Sequence, residues 1–115
     1  MGAGGVANPF GVLEDPIKDV VLAAVAGLFY GFRVVRISVF RDVGELRVSV
    51  FLKPSSQSSS LSAWDVLEAE ERIAGSLGIR VELAHARIGV SEDGLLVLHY
   101  SFRSPDIAPL RGWER

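Results

Sequence analysis

The chain has 115 residues, no cysteine, and 12 lysines and arginines against 14 acids, for a formal net charge of −2. This length holds one domain with a real core rather than two. The missing cysteine excludes disulfides, thiolate catalysis and Cys-type zinc sites, and the net acidity argues against strong nonspecific nucleic-acid binding.

The first residues, "MGAGGVANPFGVLEDP", show neither a basic n-region nor a long apolar run, so no signal peptide is expected. The Ser or Thr of a myristoylation motif is also missing. The most apolar stretch, "VVLAAVAGLFYG", falls well short of the ~20 residues needed to span a bilayer. These features predict a soluble, cytoplasmic protein that does not associate with membrane. Residues 1–14 are Gly-rich and expected to be flexible, 15–103 form a single α+β domain, and 104–115 are an irregular tail from which Trp113 can dock on a surface. "GAGG" resembles a fragment of a nucleotide loop, but no strand precedes it, and the fragment carries no expectation of nucleotide binding.

The first helix is expected to open with Asp15 as N-cap and Pro16 at the first helical position. Its apolar positions are Ile17, Val20, Val21, Ala24, Val25 and Leu28, and Gly31 supplies a left-handed stop. Leu22, Ala26 and Phe29 make a second face apolar, so the helix is either deeply buried or meets another chain on its far side.

The stretch "GFRVVRISVFRDVGELRVSVFLK" carries four arginines and a lysine, whereas its two acids, Asp42 and Glu45, flank one apparent turn. Val35, Ile37 and Val39 alternate before that turn, and Leu46, Val48, Val50 and Leu52 alternate after it. The two sets share a face if Val39 sits opposite Val48, Ile37 opposite Val50 and Val35 opposite Leu52. A turn centred on Val43-Gly44, or a four-residue loop Asp42 to Glu45, gives that register.

The Ser-rich linker "PSSQSSS" reads as flexible. It could receive a phosphate at the following helix N-terminus, but it lacks the glycines and lysine of a P-loop. The second helix begins at Ser62, with Asp65 three residues on as in a capping box and with Leu61 and Val66 in staple positions. Ala63, Val66, Leu67, Ile73, Ala74 and Leu77 form its stripe, and Gly78 ends it. Asp65, Glu68 and Glu71 occupy the opposite side. Trp64 falls off the stripe and is expected to be exposed, which suits a contact surface.

In the second hairpin "SEDG" suits a type I turn with Gly94 left-handed. Leu96, Leu98, Tyr100 and Phe102 then face Val90, Ile88, Ala86 and Ala84. Val81 and Leu83 have the other parity, which predicts a bulge or bend near Leu83. The order α-β-β-α-β-β predicts an α+β two-layer sandwich, with both helices on one face of a mostly antiparallel four-stranded sheet.

The outward positions follow from the same registers. They are Val34, Arg36, Ser38 and Phe40 opposite Lys53, Phe51, Ser49 and Arg47, and His85, Arg87 and Gly89 opposite Ser101, His99 and Val97, with Arg103 beyond. No acid is expected among them, and Arg36 and Arg47 can each rest over a ring, of Phe51 and Phe40. Such a face suits a polyanion, with rings for unpaired bases and arginines for phosphates. It equally suits a solvated surface whose cations discourage edge aggregation, or the acidic helix face of a neighbouring subunit.

His85 and His99 are diagonal neighbours in this register and the weak candidates for a metal, but no acid stands beside them as a third ligand and Arg87 would repel a cation. Glu70 falls inside the apolar stripe of the second helix. It must find a partner, Arg33 or Arg80, or take up a proton. General acid work by Glu70 would need a second titrating group that the sequence does not place beside it.

Helix, "VVRISVF", "ELRVSVFLKP", "SLSAWDVLEAEERIAGSL" and "VELAHARI", in residues 16–88, resemble two small α-β-β-α-β domains. One is the N-terminal domain of the ribosome maturation factor RimP, where a similar hairpin ending in a Lys-Pro element precedes a capped helix. This resemblance implies contact with RNA or a ribosomal protein. The other is the cytoplasmic domain of cation diffusion facilitators, which has the same order and a His on the final strand. It implies dimerisation and a metal, with His85 as the matching ligand candidate.

The expectation is a non-catalytic binding or assembly module without a cofactor. It would form a homodimer or higher oligomer and act through Arg36, Phe40, Arg47, Phe51, Lys53, His85, Arg87, His99 and Arg103 and through the far side of helix 1. RNA or an acidic protein is a candidate partner, and the alternative function is an RNA-binding protein using the same face.

Overall fold

A computed structural model describes residues 16–107. The Gly-rich start, the Asp15 cap and Trp113 lie outside the described residues. Within them the order is α1 (Ile17–Val25), β1 (Phe32–Asp42), β2 (Glu45–Pro54), α2 (Ala63–Ser76), β3 (Glu82–Val90) and β4 (Leu96–Arg103). The strands form one antiparallel sheet in the order β1-β2-β4-β3, so the two hairpins join through β2 and β4. Both helices lie on one side, α1 over β1 and α2 over β3 and β4, and they pack on each other. This is the predicted α+β sandwich. No helix among the described residues is long and apolar enough to cross a membrane.

The core is one cluster. Leu46, Val48, Val50 and Leu52 of β2 and Leu98, Tyr100 and Phe102 of β4 meet Val21 and Val25 of α1 and Ala69 and Ile73 of α2. Leu46, Leu52, Ile73 and Phe102 are almost completely buried, each worth about 1.5–3 kcal/mol of transfer free energy. Tyr100 adds a polar tie, because its hydroxyl donates to the Val66 carbonyl at 2.8 Å and fixes α2 over β4. No buried side-chain nitrogen or oxygen among the described residues lacks a partner.

The first hairpin keeps the predicted pairs Val39–Val48 and Ile37–Val50 around the Val43-Gly44 turn. Gly44 takes φ +75°, a region open to glycine without a Cβ clash, and Asp42 Oδ1 accepts from Val43 N at 2.7 Å. The third pair differs. A bulge between Val34 and Arg36 puts Val34, not Val35, opposite Leu52, and leaves Val35 exposed. In the second hairpin the anticipated irregularity falls between Leu83 and His85. It makes Ala84 the unpaired residue, so Leu83 rather than Ala84 opposes Phe102.

α1 is shorter than its apolar pattern suggests. It ends at Val25, Ala26 turns extended with ψ 130°, and Gly27 takes φ +75°. The stop is therefore Gly27 and not Gly31, and Phe29, expected on the outer face, folds back into the core. On α2, Ser62 caps as predicted, although its Oγ accepts from Trp64 N at 3.1 Å rather than from Asp65 N. The buried face centres on Ala69 and Ile73, whereas Ala63 and Leu67 are exposed. The Ser-rich connection is hydrogen-bonded to its surroundings. Ser55 N donates to Gly31 O at 2.8 Å and Ser56 N to Ser59 Oγ at 3.2 Å. Ser104–Ile107, expected as irregular tail, close onto the first turn through Ser104 N to Gly44 O at 3.1 Å and Gly44 N to Ile107 O at 3.0 Å. Ile107 thereby joins the core.

Candidate nucleic-acid or protein interface

The outer face of the sheet is a grid whose rows run across all four strands. In the order β1-β2-β4-β3, one row reads Arg36, Phe51, Val97, Gly89 and the next Ser38, Ser49, His99, Arg87. The third reads Phe40, Arg47, Ser101, His85, and the last Asp42, Glu45, Arg103, Glu82. These places follow from pairing and the two-residue alternation of side chains, interrupted on β3 by the bulge at Ala84.

The face is concave. A shallow groove of about 840 Å³ crosses the sheet and is lined by Phe40, Arg47, His85, Arg87, His99 and Arg103, with Ser49, Ser101 and Glu45 between them. Six of the nine predicted site residues therefore share one groove. Arg36, Phe51 and Lys53 lie outside it. Lys53 pairs with Arg33 at the far end of the hairpin, where the two line a smaller depression. Arg33, not Val34, is outward there, a consequence of the β1 bulge.

Both expected ring contacts are present. The Arg36 guanidinium lies 3.9 Å from the Phe51 ring centroid, and that of Arg47 lies 5.1 Å from the Phe40 centroid. The rings act as seats for cations, and each presents a guanidinium outward where a bare ring would offer a stacking surface.

The expectation of an acid-free face is wrong. Glu45 lies in the grid and its Oε2 accepts from Arg47 Nε at 3.0 Å and from Ser101 Oγ at 2.8 Å. Those two hydrogen bonds, with the charges of Arg47 and Arg103, hold its carboxyl below the ordinary carboxylate range. Glu82 stands opposite Arg103 on the other side of β4. Glu45 has the parity of Arg47, a signal present in the sequence, whereas Glu82 joins His85 and Arg87 on this face only through the bulge at Ala84. Glu45 read as a turn residue because it flanks the first turn.

Ser49 Oγ and His99 Nδ1 are hydrogen-bonded at 2.9 Å in the middle of the grid. Desolvation first, and then the positive charge of Arg87, lower the His99 pKa from its ordinary 6.5. His85 and His99 are diagonal across β3 and β4 as predicted. Among the described residues no three His, Cys, Asp or Glu side chains come together as a metal set.

Glu70 is only half-buried and makes no ion pair among the described residues. Arg33 belongs to the opposite side of the sheet and cannot reach it. Contact with water removes the need for the expected partner. Asp65, Glu68 and Glu71 are on the α2 surface, where Glu68 pairs with Arg72 at 3.1 Å. Comparison with known protein families, with curated proteins and with solved structures finds no match. The functional reading therefore comes from the geometry.

Proposed function

We propose that the chain is a binding module whose outer sheet groove takes an acidic polypeptide segment. The observation that carries this reading is the Glu45 carboxylate, seated on the face by Arg47 and Ser101. It is an internal example of the contact a partner's Asp or Glu would make. Beyond Glu45 the groove also presents Arg87, Arg103 and His85, for which no ion pair occurs among the described residues. Several cations along a concave strip match a segment with several carboxylates, and complementary charge steers such encounters.

The second reading is single-stranded RNA. Phe40 and Phe51 on an arginine-bearing open sheet favour it. The guanidinium groups over both rings weigh against it, since a base would have to stack on a cation or displace one. Fluorescence anisotropy with a labelled oligoglutamate peptide and a labelled oligouridylate separates the two. The module reading expects salt-sensitive peptide binding that is lost on Arg87→Glu and Arg103→Glu. Steeply salt-dependent RNA binding that falls on Phe51→Ala and Arg36→Glu would replace it with the RNA reading.

A further inference from the structure

The two edges of the sheet are not equivalent. β1 is covered on its helix side by α1, where Ile37 is buried and Val34 and Val39 pack on the core. β3 is bare. Its helix-side residues Leu83, Ile88 and Val90 remain open to solvent, Ile88 at 53% and Val90 at 72%. α2 is tied to β4 by the Tyr100–Val66 hydrogen bond, and its contact with β3 leaves Ile88 and Val90 mostly unshielded. Among the described residues β3 pairs with β4 alone, so its other side offers free backbone donors and acceptors along Glu82–Val90. A long edge strand with exposed aliphatic side chains is a template for another strand.

We propose that β3 is the assembly edge of this protein, and that its partner is β3 of a second copy, paired antiparallel about a two-fold axis. The charge pattern of the strand supports self-pairing. Its outward residues are Glu82, His85, Arg87 and Gly89, with Ala84 bulged out of the alternation. With His85 on the axis, Arg87 of each copy stands opposite Glu82 of the other, and the same ion pair forms twice. On the helix side Leu83 of one copy meets Ala86 of the other, a large residue against a small one, and Ile88 of both copies is covered. The two sheets become one of eight strands. The grooves then continue across the axis on one face, while the bare aliphatic residues are enclosed on the other.

The dimer and the acidic-partner reading share Arg87, and Ile88 separates their tests because it faces the helices and not the groove. Sedimentation equilibrium tests it. The wild-type chain is expected at twice the chain mass, and Ile88→Lys is expected as a monomer with an unchanged circular dichroism spectrum that still binds the peptide. Arg87→Glu and Glu82→Arg each weaken the dimer about tenfold, since each change acts twice across the axis, and the double exchange restores it. A wild-type monomer up to millimolar concentration overturns the proposal. So does a dimer that Ile88→Lys and both charge reversals leave intact.

Discussion

Arg36 and Phe51 stand opposite each other on neighbouring strands, with the guanidinium 3.9 Å from the ring centroid. The ring is half-buried, so it supports the cation from below while the outer side of the guanidinium remains open to a ligand. A double-mutant cycle of Arg36→Ala and Phe51→Ala, followed by urea denaturation, is expected to give a coupling of about 0.5–1 kcal/mol, the strength of an exposed cation–π pair. A coupling within error of zero would mean that the contact orders neither group.

Glu45 partly neutralises the groove, so removing its charge frees Arg47 for a partner. Glu45→Gln is expected to tighten oligoglutamate binding by about two- to fivefold, the effect of one exposed like charge. Its folded-state pKa is depressed by the Arg47 and Ser101 hydrogen bonds. Its contribution to stability is thus present above the ordinary carboxylate pKa and is lost as pH falls through the depressed value. Acid unfolding of Glu45→Gln should lack that part of the pH dependence.

His99 titrates in the opposite sense to a paired histidine. Desolvation, and secondly Arg87, lower its pKa from 6.5, so the unfolded chain takes up the proton first as pH falls. Stability from this group is full above the ordinary value and decreases as pH drops from there to the folded pKa. Arg87→Gln should move the His99 titration, followed by its imidazole NMR signals, upward, but not back to the ordinary value, because desolvation remains.

Tyr100→Phe removes the hydroxyl that ties β4 to Val66 of α2. A loss of about 0.5–1.5 kcal/mol is expected by chemical denaturation. Burial and the nearby Glu70 charge raise the Tyr100 pKa, so its phenolate should form only as the protein unfolds in alkali. Ultraviolet difference titration reads that directly.

Much of this architecture is legible in the chain. Alternation fixed which sides of Val39, Val48, Ile37 and Val50 meet, and the parity break at Leu83 announced the second bulge. The first bulge was hidden because Val34 and Val35 are the same residue, and an apolar pattern cannot tell which of two adjacent valines is skipped. The end of α1 was hidden for a related reason. Apolar spacing continues through Ala26 and Leu28, while the backbone leaves the helix at Ala26 and turns at Gly27. Hydrophobic pattern also says nothing of which hairpin edges meet, so the adjacency of β2 and β4 and the bare flank of β3 emerge only in three dimensions. The outer grid survived these errors because its central rows lie between the two bulges. Its acids were missed in the row beside the first turn, which is also the open end of the second hairpin.

The most direct test of the groove is an anisotropy titration of labelled oligoglutamate against the wild-type chain and the Arg87→Glu/Arg103→Glu variant, at low and high salt. Saturable binding by the wild type that weakens with salt, and at least about tenfold weaker binding by the variant, is the expected result. Equal affinity for both proteins, or no binding by the wild type at low salt, would contradict the assignment of this face as an acidic-segment receptor.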